Sequence, residues 1–387
     1  MVMTKRRWVL SAVSVAAVAS LTACGGSSTT PAASGSSAPS TSPASGAADS
    51  AEVTAAKAVI APLLERPTKI NAVGKITGPV PTTKPVIVIT CELPQCTTLG
   101  AGAVDAAKTY GFPTKTLLYK TTDGATLTSA MRDALALKPL AVIPIGFSQA
   151  LWAPLIPDFT KAGVIITSIS VGDTKPGDAV TTGSASQLDY SASGASMASW
   201  VTADSGATAK ILVQDVPAFA VLKAYGDGFK EALPKVCKAC TIKTLDNAPA
   251  QLAANGIVPS VISALQKDPS IKYIVSTDTA FLAAGLPPAL KAAGITGVKL
   301  VGGSPDINSL QGLVSGDLDA VSATAEDQYG WTAIDIILRT YNKMPVPPGD
   351  GGRVEQISTK DNVGTPTSSG LAYPTDYRDQ YKALWGK

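Results

Sequence analysis

From Pro85 onward the chain alternates short runs of β-branched and other apolar residues with amphipathic stretches. A brief apolar run bounded by turn residues reads as a buried strand, and apolar residues three and four apart read as a helix. Their regular alternation predicts βαβ units on a parallel sheet. Strands are predicted at 86–89, 116–119, 141–143 and 164–166, with helices at 98–110, after Asp123-Gly124 and at 149–162, which together suggest five βα-type steps. After Thr182-Gly183 the pattern restarts. It predicts helices at 190–202, 219–233, 253–267, 279–293 and 307–314, alternating with strands at 211–213, 241–245, 273–275 and 298–301. A helix at 52–65 and an extended approach at 68–84 precede the first strand. A helix at 331–341, the Pro/Gly-rich stretch 345–352, a strand at 354–357 and a closing helix at 377–385 follow the last. The fold class expected is therefore α/β, with two similar parallel-sheet lobes joined by a multi-strand hinge. The first lobe is expected at 85–182 plus about 325–350, and the second at 183–324 plus about 353–387. Right-handed crossovers put helices on both faces of each sheet and leave the strand ends at one edge open to a ligand.

The pattern upstream is of another kind. Lys5-Arg6-Arg7, an apolar stretch over 8–21 and the small residues before Cys24 form a charged region, an apolar core and a cleavage site. Leu21-Thr22-Ala23-Cys24 resembles the bacterial lipoprotein signal, which implies that 1–23 is a signal peptide and that Cys24 is acylated. Residues 24–50 are almost entirely Gly, Ser, Thr, Ala and Pro, and read as a flexible tether. Residues 51–84 form the N-terminal helix and approach. The protein is expected outside the cytoplasm, lipid-anchored to the cell membrane.

Composition narrows the chemistry. The 387 residues are 45% apolar and 16% charged, enough for two domains with a large core. The 32 Lys+Arg face 29 Asp+Glu, and loss of Lys5, Arg6 and Arg7 with the signal leaves 29 against 29. So balanced a chain speaks against nucleic acid as a partner. No histidine is present, which excludes Ser-His-Asp and Cys-His catalysis and imidazole metal sites. Of five cysteines, four remain beside Cys24 as two close pairs, Cys91 with Cys96 and Cys237 with Cys240. In an oxidising exterior two local disulfides are expected, with redox chemistry at Cys237-Lys238-Ala239-Cys240 as the alternative.

Several segments together resemble the type I periplasmic-binding-protein family of sugar-type ABC importers. They are Ala162-Gly163-Val164-Ile165-Ile166, Tyr225-Gly226-Asp227-Gly228-Phe229, Ser276-Thr277-Asp278-Thr279-Ala280 and Leu300-Val301-Gly302-Gly303-Ser304, and the likeness covers most of 85–387. The Cys91-to-Cys96 loop, Gly330-Trp331-Thr332-Ala333-Ile334-Asp335 and the Tyr381-to-Gly386 ending are further similar to a set of actinobacterial lipoproteins of sugar-type importers. The resemblance implies a solute-binding lipoprotein that closes two lobes over a small polar solute, a sugar or sugar-like molecule, and hands it to an ABC transporter permease. It implies no enzyme activity, no cofactor, no metal and a monomer. A ligand-binding component of a membrane sensor system would have the same fold and is kept as an alternative.

In such a fold the ligand lies at the carboxyl ends of strands. The loops after Thr90, Ile145, Ile169, Val213, Val275, Val301 and Thr324 offer Glu92, Gln95, Phe147, Ser148, Gln149, Asp173, Gln214, Asp215, Phe219, Asp278, Ser304, Asp306, Glu326, Asp327 and Gln328. The ligand-binding set expected is Glu92, Gln95, Phe147, Ser148, Gln214, Asp215, Phe219, Asp278, Ser304, Asp306, Asp327 and Gln328. Carboxylates and amides each hold hydroxyls, and an aromatic face packs on ring C–H groups. Each has a plainer role open to it: Asp278 as a helix N-cap, Gln214 and Asp215 as turn residues, and Trp152 and Trp331 as core. The resemblance breaks at Ser304, where the family has aspartate, and at an arginine absent between Gln214 and Gly226. Those losses point toward a less hydroxylated or partly apolar solute. Two enzymatic readings compete. Gly100-Ala101-Gly102 resembles the start of a dinucleotide fingerprint but continues to Asp105, and Asp278 with Asp215 or Glu92 offers the two carboxylates of a glycosidase.

Overall fold

The structure is a computed structural model and describes residues 49–71, 74–346, 354–366, 371 and 373–387. The expected signal peptide, Cys24 and nearly all of the expected tether lie outside the described residues.

Helix α1 (Ala51–Leu64) opens on a Ser50 cap and ends before Pro67, where the sequence predicts. The first sheet contains β1 (Val86–Cys91), β2 (Thr114–Tyr119), β3 (Ala141–Pro144) and β4 (Ile165–Ile166), all parallel, in the order β2-β1-β3-β4. The intervening helices are α2 (Pro94–Tyr110), α3 (Gly124–Ala136), capped by Asp123 as expected, and α4 (Ile156–Ala162). Strand β1 is buried along its whole length, as a central parallel strand covered on both faces must be. A fifth βα step does not form. The chain beyond β4 returns only through single bridges, Ile166 to Val180 and Ile169 to Ser184. The helix predicted at 149–162 is also broken. Pro154 and Pro157 lack the N–H that a continuous helix needs, so two 3₁₀ turns precede α4.

The second sheet has β5 (Lys210–Asp215), β6 (Thr241–Asp246), β7 (Tyr273–Ser276), β8 (Lys299–Gly302), β9 (Ala320–Ala323) and β10 (Gln356–Thr359). Its order is β10-β9-β8-β7-β5-β6, with β10 antiparallel at one edge and the other pairs parallel. Helices α5 (Gln187–Asp204), α6 (Ala220–Val236), α7 (Pro249–Ala253), α8 (Ile257–Lys267), α9 (Leu286–Ala292) and α10 (Ile307–Ser315) connect these strands. Gly256 separates α7 from α8. Gly285 and the prolines after it delay α9, so the helix predicted from Thr279 begins there as one 3₁₀ turn. Along β5 and β7 alternate side chains enter two cores. Leu212 and Ile274 join one face, and Ile211, Val213, Tyr273 and Val275 join the other.

Helix α11 (Glu326–Tyr341) returns to the first lobe. There it buries Trp331, Ile334, Ile337 and Leu338 among the residues of β1 and α2. Strand β10 then pairs in the second sheet, but α12 (Tyr377–Trp385) packs Tyr377, Tyr381 and Trp385 into the first core. The segment expected as part of the second lobe at 353–387 is thus divided between the two. The reason lies in its aromatic face: Trp385 stacks on Trp331 at 5.2 Å, and its indole N–H donates to Asp335. Two helix pairs cross closely at glycines. A Cβ at Gly102 of α2 would lie 2.1 Å from the Asp327 carbonyl of α11, and one at Gly194 of α5 would lie 2.0 Å from the Tyr225 carbonyl of α6. The Gly100-Ala101-Gly102 run is therefore a helix-packing surface. Both expected cysteine pairs, Cys91–Cys96 and Cys237–Cys240, are disulfide-bonded. Among the described residues no helix is long and apolar enough to cross a membrane.

Candidate functional site

Both sheets reverse their winding near the middle. In the first the chain leaves β1 toward β2 on one side and β3 on the other, and in the second β5 is flanked by β6 and β7. Such switch points open a crevice beyond the carboxyl ends of the strands. The structure brings these two ends together around one cavity. From the first lobe come Cys91 to Cys96 after β1, Tyr119 and Thr121 at the end of β2, and Ile145 to Phe147 after β3. Opposite them stand Phe219 to Leu222 after β5, Asp278 and Phe281 after β7, and Ser304 after β8. Tyr190 and Glu326 line it where the chain passes between the lobes. The cavity's lining is mostly apolar with a few convergent polar groups, the make-up of a small-molecule site.

The first-lobe wall is held by local bonds. The Cys91–Cys96 disulfide ties the last residue of β1 to the first turn of α2, and the Thr90 hydroxyl donates to the Cys96 carbonyl at 2.7 Å. Gln95 is thereby fixed at the rim. After β3 the chain turns at Gly146 with φ 96°, and the Tyr119 hydroxyl donates to the Ile145 carbonyl at 2.6 Å. This turn presents Phe147 to the cavity, 5.4 Å from the Tyr119 ring. On the second lobe Asp278 caps the 3₁₀ turn Thr279–Phe281 through the Ala280 N–H at 3.0 Å. Gly303 passes over the Tyr225 ring too closely for a Cβ, and Ser304 follows in the left-handed region at φ 46°.

A hydrogen bond spans the cleft. The Gln95 side-chain amide donates to Asp278 Oδ2 at 3.0 Å and approaches the Ser304 carbonyl at 3.5 Å. Asp278 is 1% exposed. Burial pushes its carboxyl up to about 7, against the bonds from Gln95 and Ala280 and with the charge of Asp306. Glu326 is pushed up to about 8 by burial, then by the negative charges of Asp278, Asp306 and Asp327. Burial likewise raises the Tyr190 phenol to about 12 and the Tyr119 phenol well above its ordinary value.

Of the twelve residues expected to bind ligand, Gln95, Phe147, Phe219, Asp278 and Ser304 line this cavity. The others are placed elsewhere, each in a local structural role. Glu92 is exposed and accepts from the Thr121 N–H and hydroxyl. Ser148 caps its own turn and donates to Asp173. Gln214 is buried between Asn247 and Ser276, and Asp215 accepts from Thr277 beneath Gly226. Asp306 caps α10 through Ser309. Asp327 accepts from the Tyr377 hydroxyl and from Arg378, and Gln328 is buried in α11. Trp152 and Trp331 are fully buried. Asp278 is not joined at the cavity by Asp215 or Glu92, the partners a glycosidase reading assigns to it.

The expected set passes over Tyr119, Tyr190, Phe281 and Glu326. The rule of strand carboxyl ends, applied to β2 and to the loop after β9, identifies Tyr119 and Glu326. Phe281 stands three residues beyond Asp278 on the same turn. Tyr190 carries no such signal, because it sits within the amphipathic pattern of α5.

No curated protein matches the chain. Solved structures similar to it include an ABC sugar transporter subunit from Rhodobacter sphaeroides 2.4.1, 19% identical over 72% of this chain and 99% of that one, with a TM-score of 0.61. An ABC transporter solute-binding protein from Burkholderia graminis C4D1M, in complex with D-arabinose, is 16% identical over 75% of this chain and 100% of that one, with a TM-score of 0.63. A periplasmic solute-binding protein from Actinobacillus succinogenes 130z with bound D-allose is 16% identical over 72% and 99%, with a TM-score of 0.61. At such identities these likenesses establish the type I fold. The sequence profile of the periplasmic binding protein domain matches residues 86–342, and with two α/β lobes meeting at their strand carboxyl ends, the chain belongs to the periplasmic binding protein family.

Proposed function

We propose that the protein is the extracytoplasmic solute receptor of an ABC importer, closing its lobes over a small polar solute of sugar size and passing it on unchanged. The observation that carries this reading is the cavity itself, lined from both switch points and bridged by Gln95 and Asp278. A solute seated there touches both lobes and stabilises the closed arrangement by its differential affinity. The sugar-bound relatives of the same fold support a sugar-like ligand. Gln95, Phe147, Phe219, Asp278 and Ser304 are the ligand contacts in this reading, joined by Tyr119, Tyr190, Phe281 and Glu326.

The N-terminal sequence supports the remainder. Leu21-Thr22-Ala23-Cys24 provides a lipid anchor, and 25–50 a tether that lets the body range over the membrane. The partner is a permease that recognises the closed form, and the receptor acts as a monomer. The test is a panel of sugars, polyols, nucleosides, small acids and amines, read by tryptophan fluorescence and melting temperature. A saturable shift with one class supports the receptor; no shift across the panel overturns it. Recovery of a permease in a crosslinked membrane fraction distinguishes import from a sensor role, which would yield a kinase ectodomain.

A further inference from the structure

Resting on the receptor reading, we propose that the solute carries a protonated amine on a compact, partly apolar body, and that Asp278 and Glu326 together recognise the ammonium group. The cavity has two carboxylates and, among the described residues, no lysine or arginine in its lining. Asp278 spends its oxygens on one neutral amide and one backbone N–H. Glu326 accepts no hydrogen bond from any described residue. Its neighbour Asp327 makes the contrast, since that carboxylate is met by Arg378 at 2.8 Å. Asp278 is buried and Glu326 half-buried at the same cavity; a desolvated carboxylate without a cation is costly, and a second of like charge beside it raises that cost. One ammonium group between them removes both penalties, whereas a neutral hydroxyl removes neither.

The remaining walls fit the same ligand. Phe147, Phe219 and Phe281 supply apolar faces from both lobes, with Tyr190 between them. Aromatic faces attract a desolvated cation and cover an apolar body. Of the other charged or titratable groups near the cleft, Asp306 adds negative charge, Asp327 is met by Arg378 and Glu92 lies near Lys120, while Tyr119 and Tyr190 are held neutral. The raised Asp278 and Glu326 carboxyls describe the cavity without its cation. An ammonium group returns both toward the ionised form, so binding at neutral pH releases protons.

The experiment titrates the full chain with isosteric pairs differing only in charge: glucosamine and glucose, cyclohexylamine and cyclohexanol, 2-phenylethylamine and 2-phenylethanol. Calorimetry in buffers of different ionisation enthalpy counts protons. For at least one pair the amine is expected to bind about tenfold or more tightly than its neutral partner, with proton release. Asp278→Asn keeps the cap on Ala280, and Glu326→Gln keeps the start of α11. Each is expected to cut amine affinity about tenfold and to narrow the gap between the amine and its neutral partner. Melting of the unliganded variants checks folding, and Glu326→Gln is expected to melt higher, because it removes the cost of holding an acid protonated at neutral pH. Neutral partners that bind as tightly as their amines in every pair that binds, or amine affinity unmoved in both variants, overturn this inference and leave the receptor standing. Failure of every compound here and in the wider panel overturns the receptor as well.

Discussion

The two walls of the cleft are made from the same element, the loop beyond a parallel strand, and carry different chemistry. The first-lobe wall is uncharged and covalently fixed, with Cys91–Cys96, Tyr119 and Phe147 set by a disulfide, a glycine turn and a buried phenol bond. The facing wall presents Asp278 and Ser304, with Glu326 beside them where the chain crosses between lobes. The difference teaches that the fold dictates where a side chain reaches the cavity, while the turn that follows each strand dictates what arrives. A helix opening there favours a carboxylate as its cap, and a disulfide-closed turn favours packing.

The comparison breaks most severely if the scaffold under a wall is pushed apart. Gly102→Val places a branched side chain against the α11 backbone and is expected to cost about 3 kcal/mol, with a lower melting temperature and a distorted first-lobe wall. Gly194→Val should do the same under the second lobe. Normal melting in both would show that the helix crossings are not close. Removing Cys91–Cys96 by double serine substitution is expected to cost about 2 kcal/mol by the loop-closure argument. The Cys237–Cys240 double variant should cost nearly as much, yet only the first should weaken ligand binding. Equal affinity in both would separate the disulfide from the cleft.

Smaller effects sharpen the contrast. Gln95→Ala removes the bond across the cleft and is expected to weaken the closed, unliganded form by about 1 kcal/mol, seen as a larger radius by small-angle scattering. An unchanged radius would mean that closure rests on other contacts. The smallest effect follows pH. Asp278 and Glu326 bind protons more tightly in the folded, closed form than in the unfolded chain. Their contribution is therefore fully present below about pH 4 and is lost as pH rises through about 7 to 8. Melting of the unliganded Glu326→Gln variant should fall less than wild type between pH 5 and 9. Parallel curves would remove Glu326 from the linkage.

The fold was legible because buried parallel strands are continuous apolar runs. Val86 to Ile89 and Tyr273 to Val275 announce themselves, and Asp123 marks its helix start. Boundaries blurred where proline and glycine compete with periodicity, as at Pro154, Pro157 and Gly285. The pairing of 377–385 with the first lobe was hidden, because an amphipathic helix shows which face it buries but not against what. The cleft was half legible for a related reason. Polar residues at strand ends, such as Gln214 and Asp215, read alike whether they point at a ligand or into their own core. Tyr190 looked like any helix residue until the lobes were assembled around it.

The disulfide at the first-lobe wall has one more consequence. Gln95 and its loop acquire their set position only where thiols are oxidised. In the reducing cytosol the same chain would hold a slack rim. Competence to capture is thus coupled to having left the cell interior, and a solute met before export would find the trap unset.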